Sequence, residues 1–178
     1  MPLTQKNELL LKKLALAMAT HPRDTFTELA TIVGVSKATL HRIYGTRNDL
    51  EKLLLQQSDT IIQGIIRLAN SDFNDYIDGL NQLIAAFYGN KELFRWLFSG
   101  TCTASEEYVD AYFSGLEGFF TRGQRRGTFR VELNADFLTT MFSSGIVALI
   151  DAELMGRIAP KGSRQEFADV FLQGIQGQ

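Results

Sequence analysis

A chain of 178 residues with 45% hydrophobic and 21% charged residues has the make-up of an ordinary soluble globular protein, long enough for one or two domains with ample core. Eighteen Lys/Arg against twenty Asp/Glu leave a net charge of −2, which excludes a polycationic or polyanionic chain, and the single cysteine, Cys102, excludes an intramolecular disulfide framework and fits a reducing cytoplasm. Only three prolines and little Val/Ile alternation point to an all-α fold. No charged stretch followed by an apolar one opens the chain, so export is not expected. The longest uncharged apolar-rich run, 137–150, contains Thr, Ser and Gly and is too short to span a bilayer, so no membrane partner is expected.

The first predicted helix covers 7–20, with Leu10, Leu11, Leu14, Ala17 and Met18 at helical spacing, and the His21-Pro22 pair ends it. His21 reads as a helix-end or surface residue, since no second His, Cys or acidic cluster at ligand spacing lies nearby. Thr25 and Glu28 then have the spacing of a capping box, and Leu29, Ala30 and Val33 form a short apolar stripe that Gly34 terminates. Ser36 starts the next helix, with Leu40 and Ile43 or Tyr44 turned inward. Two short helices about a glycine turn form a helix-turn-helix, whose second helix can enter the DNA major groove. The outward face of that second helix presents Ser36, Lys37, Thr39, His41 and Arg42, small or cationic and almost free of carboxylates, which suits phosphates and base edges. Thr46 and Asp49 form another capping spacing and open a long helix to about residue 68, with Leu50, Leu53, Leu54, Ile61, Ile62, Ile65 and Leu68 facing inward. No proline or glycine breaks its first three turns, so a rigid connection between head and body is expected.

Further helices are predicted at about 73–88, 91–98, 105–126, 134–156 and 163–175, separated by Gly-Asn, Ser-Gly-Thr, Gly-Thr and Pro-Lys-Gly punctuation, for about nine helices in all. Charge is unevenly divided. Residues 1–58 hold eight Lys/Arg against five Asp/Glu, a balance of +3, and residues 59–178 hold ten against fifteen, a balance of −5. A modestly basic head on an acidic body is what a DNA-reading domain joined to a body that does not bind DNA requires.

The run GVSKATLHRIYGTRNDL resembles the DNA-binding signature of TetR-type transcriptional regulators, Gly-Val-Ser-Lys-x-Thr-Leu-Tyr-x-x-Phe followed by a Lys-containing turn and a Leu. Gly34, Val35, Ser36, Lys37, Thr39, Leu40 and Leu50 match as they stand, Tyr44 takes the aromatic position and Arg47 the basic one. His41, Ile43 and Gly45 depart from it: the family usually has a phosphate-contacting tyrosine, an aromatic or histidine, and a lysine there. The match spans roughly the first third of the chain. The resemblance implies a three-helix DNA-binding head over 1–46 and a helical effector-binding and dimerisation body over 47–178, without a cofactor. It implies double-stranded operator DNA as partner of Thr25, Thr27, Ser36, Lys37, Ala38, Thr39, His41, Arg42, Tyr44 and Arg47, with Ser36, Tyr44 and Arg47 near phosphates. It also implies a small-molecule effector held between the middle helices, for which Phe87, Trp96, Tyr108, Tyr112, Met141 and Phe142 are candidates among an aromatic-rich set otherwise suited to core packing. The last two helices carry more apolar surface than one core needs. The family arrangement is a homodimer through a four-helix bundle, here assigned to Phe137, Ile146, Leu149, Phe167, Val170, Phe171 and Ile175.

Enzyme chemistry finds no support in the sequence. There is no Gly-x-Ser-x-Gly elbow, no phosphate-cradling glycine loop, no His/Cys cluster for a metal, and the acidic pairs Glu106-Glu107 and Asp151/Glu153 are too close in sequence to share a helix face. The expected function is therefore a cytoplasmic, ligand-responsive regulator acting as a repressor. The alternative is a helical ligand carrier or protein adaptor that no longer reads DNA, suggested by His41, Ile43 and Gly45.

Overall fold

A computed structural model describes residues 5–101 and 106–177; Cys102, Ser105 and the side chains at 100, 101, 106 and 108, Tyr108 among them, fall outside what it describes. The described residues form α1 (Gln5–Thr20), α2 (Phe26–Val33), α3 (Lys37–Tyr44), α4 (Arg47–Ala69), α5 (Tyr76–Tyr88), α6 (Lys91–Trp96) followed by a π-helical turn (Leu97–Thr101), α7 (Glu106–Arg125), α8 (Ala135–Leu154) and α9 (Pro160–Ile175). The fold is all-α. Extended pairing among the described residues is limited to one isolated bridge between Phe129 and Gln176.

Two compact units emerge, one from the described residues of Met1–Ile61 and Lys91–Thr103, the other from those of Ile62–Asn90 and Ala104–Gln178. Compactness thus divides the chain elsewhere than the division by role expected at 46/47, because residues beyond the head help fill its core. Leu11, Leu14, Ala15 and Met18 of α1 pack with Leu29 and Ala30 of α2, Leu40 and Tyr44 of α3, Leu50 and Leu54 of α4, and Leu93 and Trp96 of α6. None of α2, α3 and α6 exceeds eight residues, too short for stability alone, so this shared apolar seam holds them helical.

The second unit is built on aromatic rings. Phe119 and Phe120 of α7 each lie within 6 Å of Phe129, and Phe142 of α8 meets Phe87 and Phe120 at 5.8 Å and Phe171 of α9 at 5.6 Å. Edge and tilted contacts dominate, the arrangements that the ring quadrupoles favour. Two glycines make room for them. A β-carbon on Gly123 would stand 2.3 Å from the Phe129 ring, and one on Gly79 would stand 2.9 Å from Phe73. Phe73 therefore lies ahead of the helix instead of opening it. The helix starts at Tyr76, where Asp75 caps it by accepting the Ile77 N–H at 2.8 Å.

The apolar run at 137–150, too short by itself to span a bilayer, sits inside a longer helix, close to the one expected at 134–156. α8 covers 20 residues and is long and apolar enough, by length and composition, to cross a membrane. The core helix of a soluble protein passes the same test, and Leu138, Phe142, Ile146 and Ile150 are buried within the second unit. α9 carries non-helical backbone at Lys161 and Gly162 (φ +99°), so its regular part begins at Ser163, as the Pro-Lys-Gly punctuation predicts.

Candidate nucleic-acid interface

Three hydroxyl caps shape the helix-turn-helix and the helix behind it. At the start of α2 the Thr25 hydroxyl accepts the Glu28 N–H at 3.3 Å, and the Glu28 carboxylate accepts the Thr25 N–H at 2.6 Å, a complete capping box. At the start of α3 the Ser36 hydroxyl accepts the Thr39 N–H at 3.1 Å and bonds the Thr39 hydroxyl at 2.9 Å. Ahead of α4 the Asp49 carboxylate accepts both the Thr46 hydroxyl at 2.7 Å and the Thr46 N–H at 2.9 Å, while the Asp49 N–H donates back to that hydroxyl at 3.2 Å. The hydrogen bonds from Thr25 hold the Glu28 carboxyl below the ordinary carboxylate range, and those from Thr46 do the same for Asp49. Between α2 and α3, Gly34 takes φ +76°, and the Val35 N–H reaches back to the Ala30 carbonyl at 3.0 Å.

The first turn of α3 holds no acidic residue, so the partial positive charge of its N-terminus is not neutralised by its own side chains. Ser36, Lys37, Ala38, His41 and Arg42 are exposed and Thr39 is half-buried; Thr25 and Thr27 are exposed at the start of α2. These residues lie on or beside the same pair of short helices. His41 rests edge-on against Phe26 with ring centroids 5.0 Å apart, which orients an otherwise exposed imidazole.

Two of the residues assigned to DNA point elsewhere. Tyr44 is buried, and its hydroxyl donates to the Asn7 carbonyl at 2.6 Å, tying the end of α3 to α1. Arg47 donates through Nε to Glu51 at 2.9 Å, through Nη2 to the Pro22 carbonyl at 2.8 Å and through Nη1 to the Asp24 carbonyl. Periodicity cannot find the contacts to Asn7, Pro22 and Asp24, which lie more than twenty positions away, whereas the Arg47–Glu51 pair has ordinary i,i+4 helical spacing. The departures at 43 and 45 also have structural causes. Ile43 packs against the core, while Gly45 takes φ +74° with the space of a β-carbon 2.7 Å from the Asp49 carboxylate. Only glycine fits that position without displacing the α4 cap.

The remaining candidates divide between the units. Phe87, Tyr112 and Phe142 come together in the second unit, Phe87 lying 6.4 Å from Tyr112 and 5.8 Å from Phe142, and the Tyr112 and Ser143 hydroxyls bond at 2.8 Å. Burial pushes the Tyr112 phenol up to about 12. Trp96 belongs to the first unit's core, and Met141 is 51% exposed on α8. Of the residues assigned to a dimer seam, Phe137 and Val170 are 55% and 72% exposed, Leu149, Phe167 and Phe171 are half-buried, and Ile146 and Ile175 are buried within the unit. Ile146 and Ile175 are thus occupied in holding α8 and α9 to the body, since both face the unit's own core. Among the described residues no group of three His, Cys, Asp or Glu gathers as a metal site.

The Tyr44 contact gives a measurable alkaline signature. Burial raises this phenol from 10.0 to about 12, so the stability it contributes is complete below pH 10 and is lost as pH rises towards 12. Tyr44→Phe is expected to lower stability at neutral pH by about 1 kcal/mol, the worth of one hydrogen bond, and to flatten the loss between pH 10 and 12. Urea unfolding of both proteins across that range checks this.

No family model matches the chain. The HTH-type transcriptional regulator NfxB of Pseudomonas aeruginosa is 33% identical to it over 183 aligned positions, covering 98% of this chain and 96% of that protein. The structure is similar to that of the ketosteroid transcriptional regulator KstR2 of Mycobacterium tuberculosis, with a TM-score of 0.64 at 14% identity and 99% and 98% of the two chains covered. The TetR family regulator PfmR of Thermus thermophilus aligns with a TM-score of 0.59 at 19% identity, over 99% and 100% of the chains. Sequence kinship along almost the whole length, on a helix-turn-helix fold of this kind, means that the chain belongs to the TetR family of transcriptional regulators.

Proposed function

We propose that this regulator binds a palindromic operator as a homodimer, represses from it, and is released by a small apolar or aromatic effector. The observation that carries the DNA reading is the outer face of α3. Lys37 and Arg42 form no ion pair among the described residues, no acid occupies the helix's first turn, and Ser36, Thr39 and His41 supply short polar groups between them. Thr25, Thr27, Ser36, Lys37, Ala38, Thr39, His41 and Arg42 make up the proposed surface. Lys37→Ala is expected to weaken operator and random duplex alike and to lower the slope of log affinity against log salt by about one, whereas Thr39→Ala relaxes base preference instead. Fluorescence anisotropy at several salt concentrations measures both. If neither variant changes binding, the reading gives way to a helical ligand carrier or adaptor.

The exposed Phe137, Met141 and Val170, with half-buried Leu149, Phe167 and Phe171, support a second copy packing on α8 and α9. Val170→Glu puts a charge on that surface without entering the monomer core. Analytical ultracentrifugation should show wild type as a dimer at micromolar concentration and the variant as a folded monomer. A monomeric wild type ends this part of the reading.

The effector site is proposed at Phe87, Tyr112 and Phe142, where a buried hydroxyl pair offers a polar handle among rings. On two half-sites about 34 Å apart, a change of a few ångströms in head separation breaks register. A coupling of about 1–3 kcal/mol then weakens operator binding by about 5- to 150-fold, and operator must weaken effector binding by the same factor. Thermal-shift screening of apolar and aromatic compounds identifies a ligand, which is then titrated into free and operator-bound protein. Equal affinities in the two titrations exclude the switch.

A further inference from the structure

Arg47 stands where the family resemblance implies a base in contact with phosphate, yet the structure turns its guanidinium towards its own chain. Three of its five N–H groups are committed: Nε to the Glu51 carboxylate one turn along α4, Nη2 to the Pro22 carbonyl and Nη1 to the Asp24 carbonyl. Asp24 immediately precedes Thr25, the cap of α2, and the loop is closed by the Asp24 N–H donating to the His21 carbonyl at 3.2 Å. A planar fork that meets two carbonyls and one carboxylate fixes direction as well as distance, which the point charge of a lysine cannot do.

We infer that Arg47, held by Glu51, is a positioning residue for DNA reading and not a phosphate contact. Its guanidinium anchors the loop ahead of α2 to the first turns of α4, and so sets where α2 and the α3 that follows the Gly34 turn are presented. The inference rests on the operator-binding reading above. The apolar core holds the three helices together, but Leu and Ala side chains permit small slides along their seam. The hydrogen-bonded fork restricts such slides at the end of α2 nearest the loop. Glu51 acts through Arg47: its carboxylate occupies Nε and leaves both terminal nitrogens facing the loop carbonyls.

Two substitutions separate this role from simple charge. Arg47→Lys keeps the cation and suits a phosphate contact, but loses the fork. Glu51→Gln removes a negative charge on the head, which by electrostatics alone would strengthen DNA binding. Positioning predicts the same result for both: about tenfold weaker operator binding, unchanged affinity for random duplex, and an unchanged salt slope, measured well below the melting temperature. Full operator affinity in Arg47→Lys, or tighter binding in Glu51→Gln, overturns the inference. Hydrogen exchange without DNA gives the second measurement. Amides at 25–44 should exchange faster in both variants while those of α1 keep their wild-type protection. Unchanged exchange at 25–44 overturns the anchor whatever the DNA result, whereas a wild-type protein that prefers no DNA sequence would instead sink the operator reading and leave the exchange result to decide the anchor.

Discussion

A helix of eight residues leaves as many backbone groups unpaired as it pairs, and this constraint governs the head of the protein. α2 and α3 are both of that length. Each first turn exposes N–H groups that an uncapped end would leave to water or to nothing. Hydroxyls at Thr25, Ser36 and Thr46 answer the need at three successive helix starts, and two of them are locked by a returning carboxylate. The caps satisfy the ends locally, and the buried leucines supply the packing that eight-residue helices need to stay helical. Ser36 shows what this arrangement gives up. Its hydroxyl is already engaged by Thr39, so the residue reaches a partner outside the protein with part of its hydrogen-bonding capacity in use.

The second unit solves a different problem, since four longer helices, α5, α7, α8 and α9, must pack rings that are bulky and flat. Glycine is the complement to phenylalanine here. Gly79, Gly123 and Gly145 each face a ring at a distance that a β-carbon would contest; one added at Gly145 would stand 3.1 Å from the Phe167 ring. The result is a network of edge contacts running from Phe73 through Phe119, Phe120 and Phe142 to Phe171, with one buried hydroxyl pair inside it. Thr139, one turn before Ser143 on α8, buries a hydroxyl without a partner. Polar groups in such a place leave the unit short of its best stability, and ligand sites commonly carry that character.

Local chemistry was the legible part of the sequence. The capping pairs, the Gly34 turn and the burial of Leu29 and Leu40 follow from spacing alone, because every partner lies within four residues or on one face. What spacing could not deliver were contacts between distant segments. Spacing offers Tyr44 as an inward residue and the resemblance puts it near phosphate, but neither shows that Asn7, thirty-seven positions earlier, takes its hydroxyl. Arg47 reads as a free cation until the carbonyls of the α1–α2 loop claim it. On α8 and α9 an apolar stripe wider than one contact was visible, but which side faces inward was not; Ile146 and Ile175 turned in and Phe137 and Val170 turned out. The same limit explains Gly45, whose odd place in the motif makes sense only beside the folded Asp49 cap.

Arg47 grips main-chain oxygens, and every residue type offers one. Exchanging the side chains of Arg23 or Asp24, charge included, would therefore leave both accepting oxygens in place. The charge of the surface beside α2 and α3 can be altered in this way while the contacts of the guanidinium stay as they are. Contacts made to backbone thus leave evolution a palette where contacts made to side chains would have left it a lock.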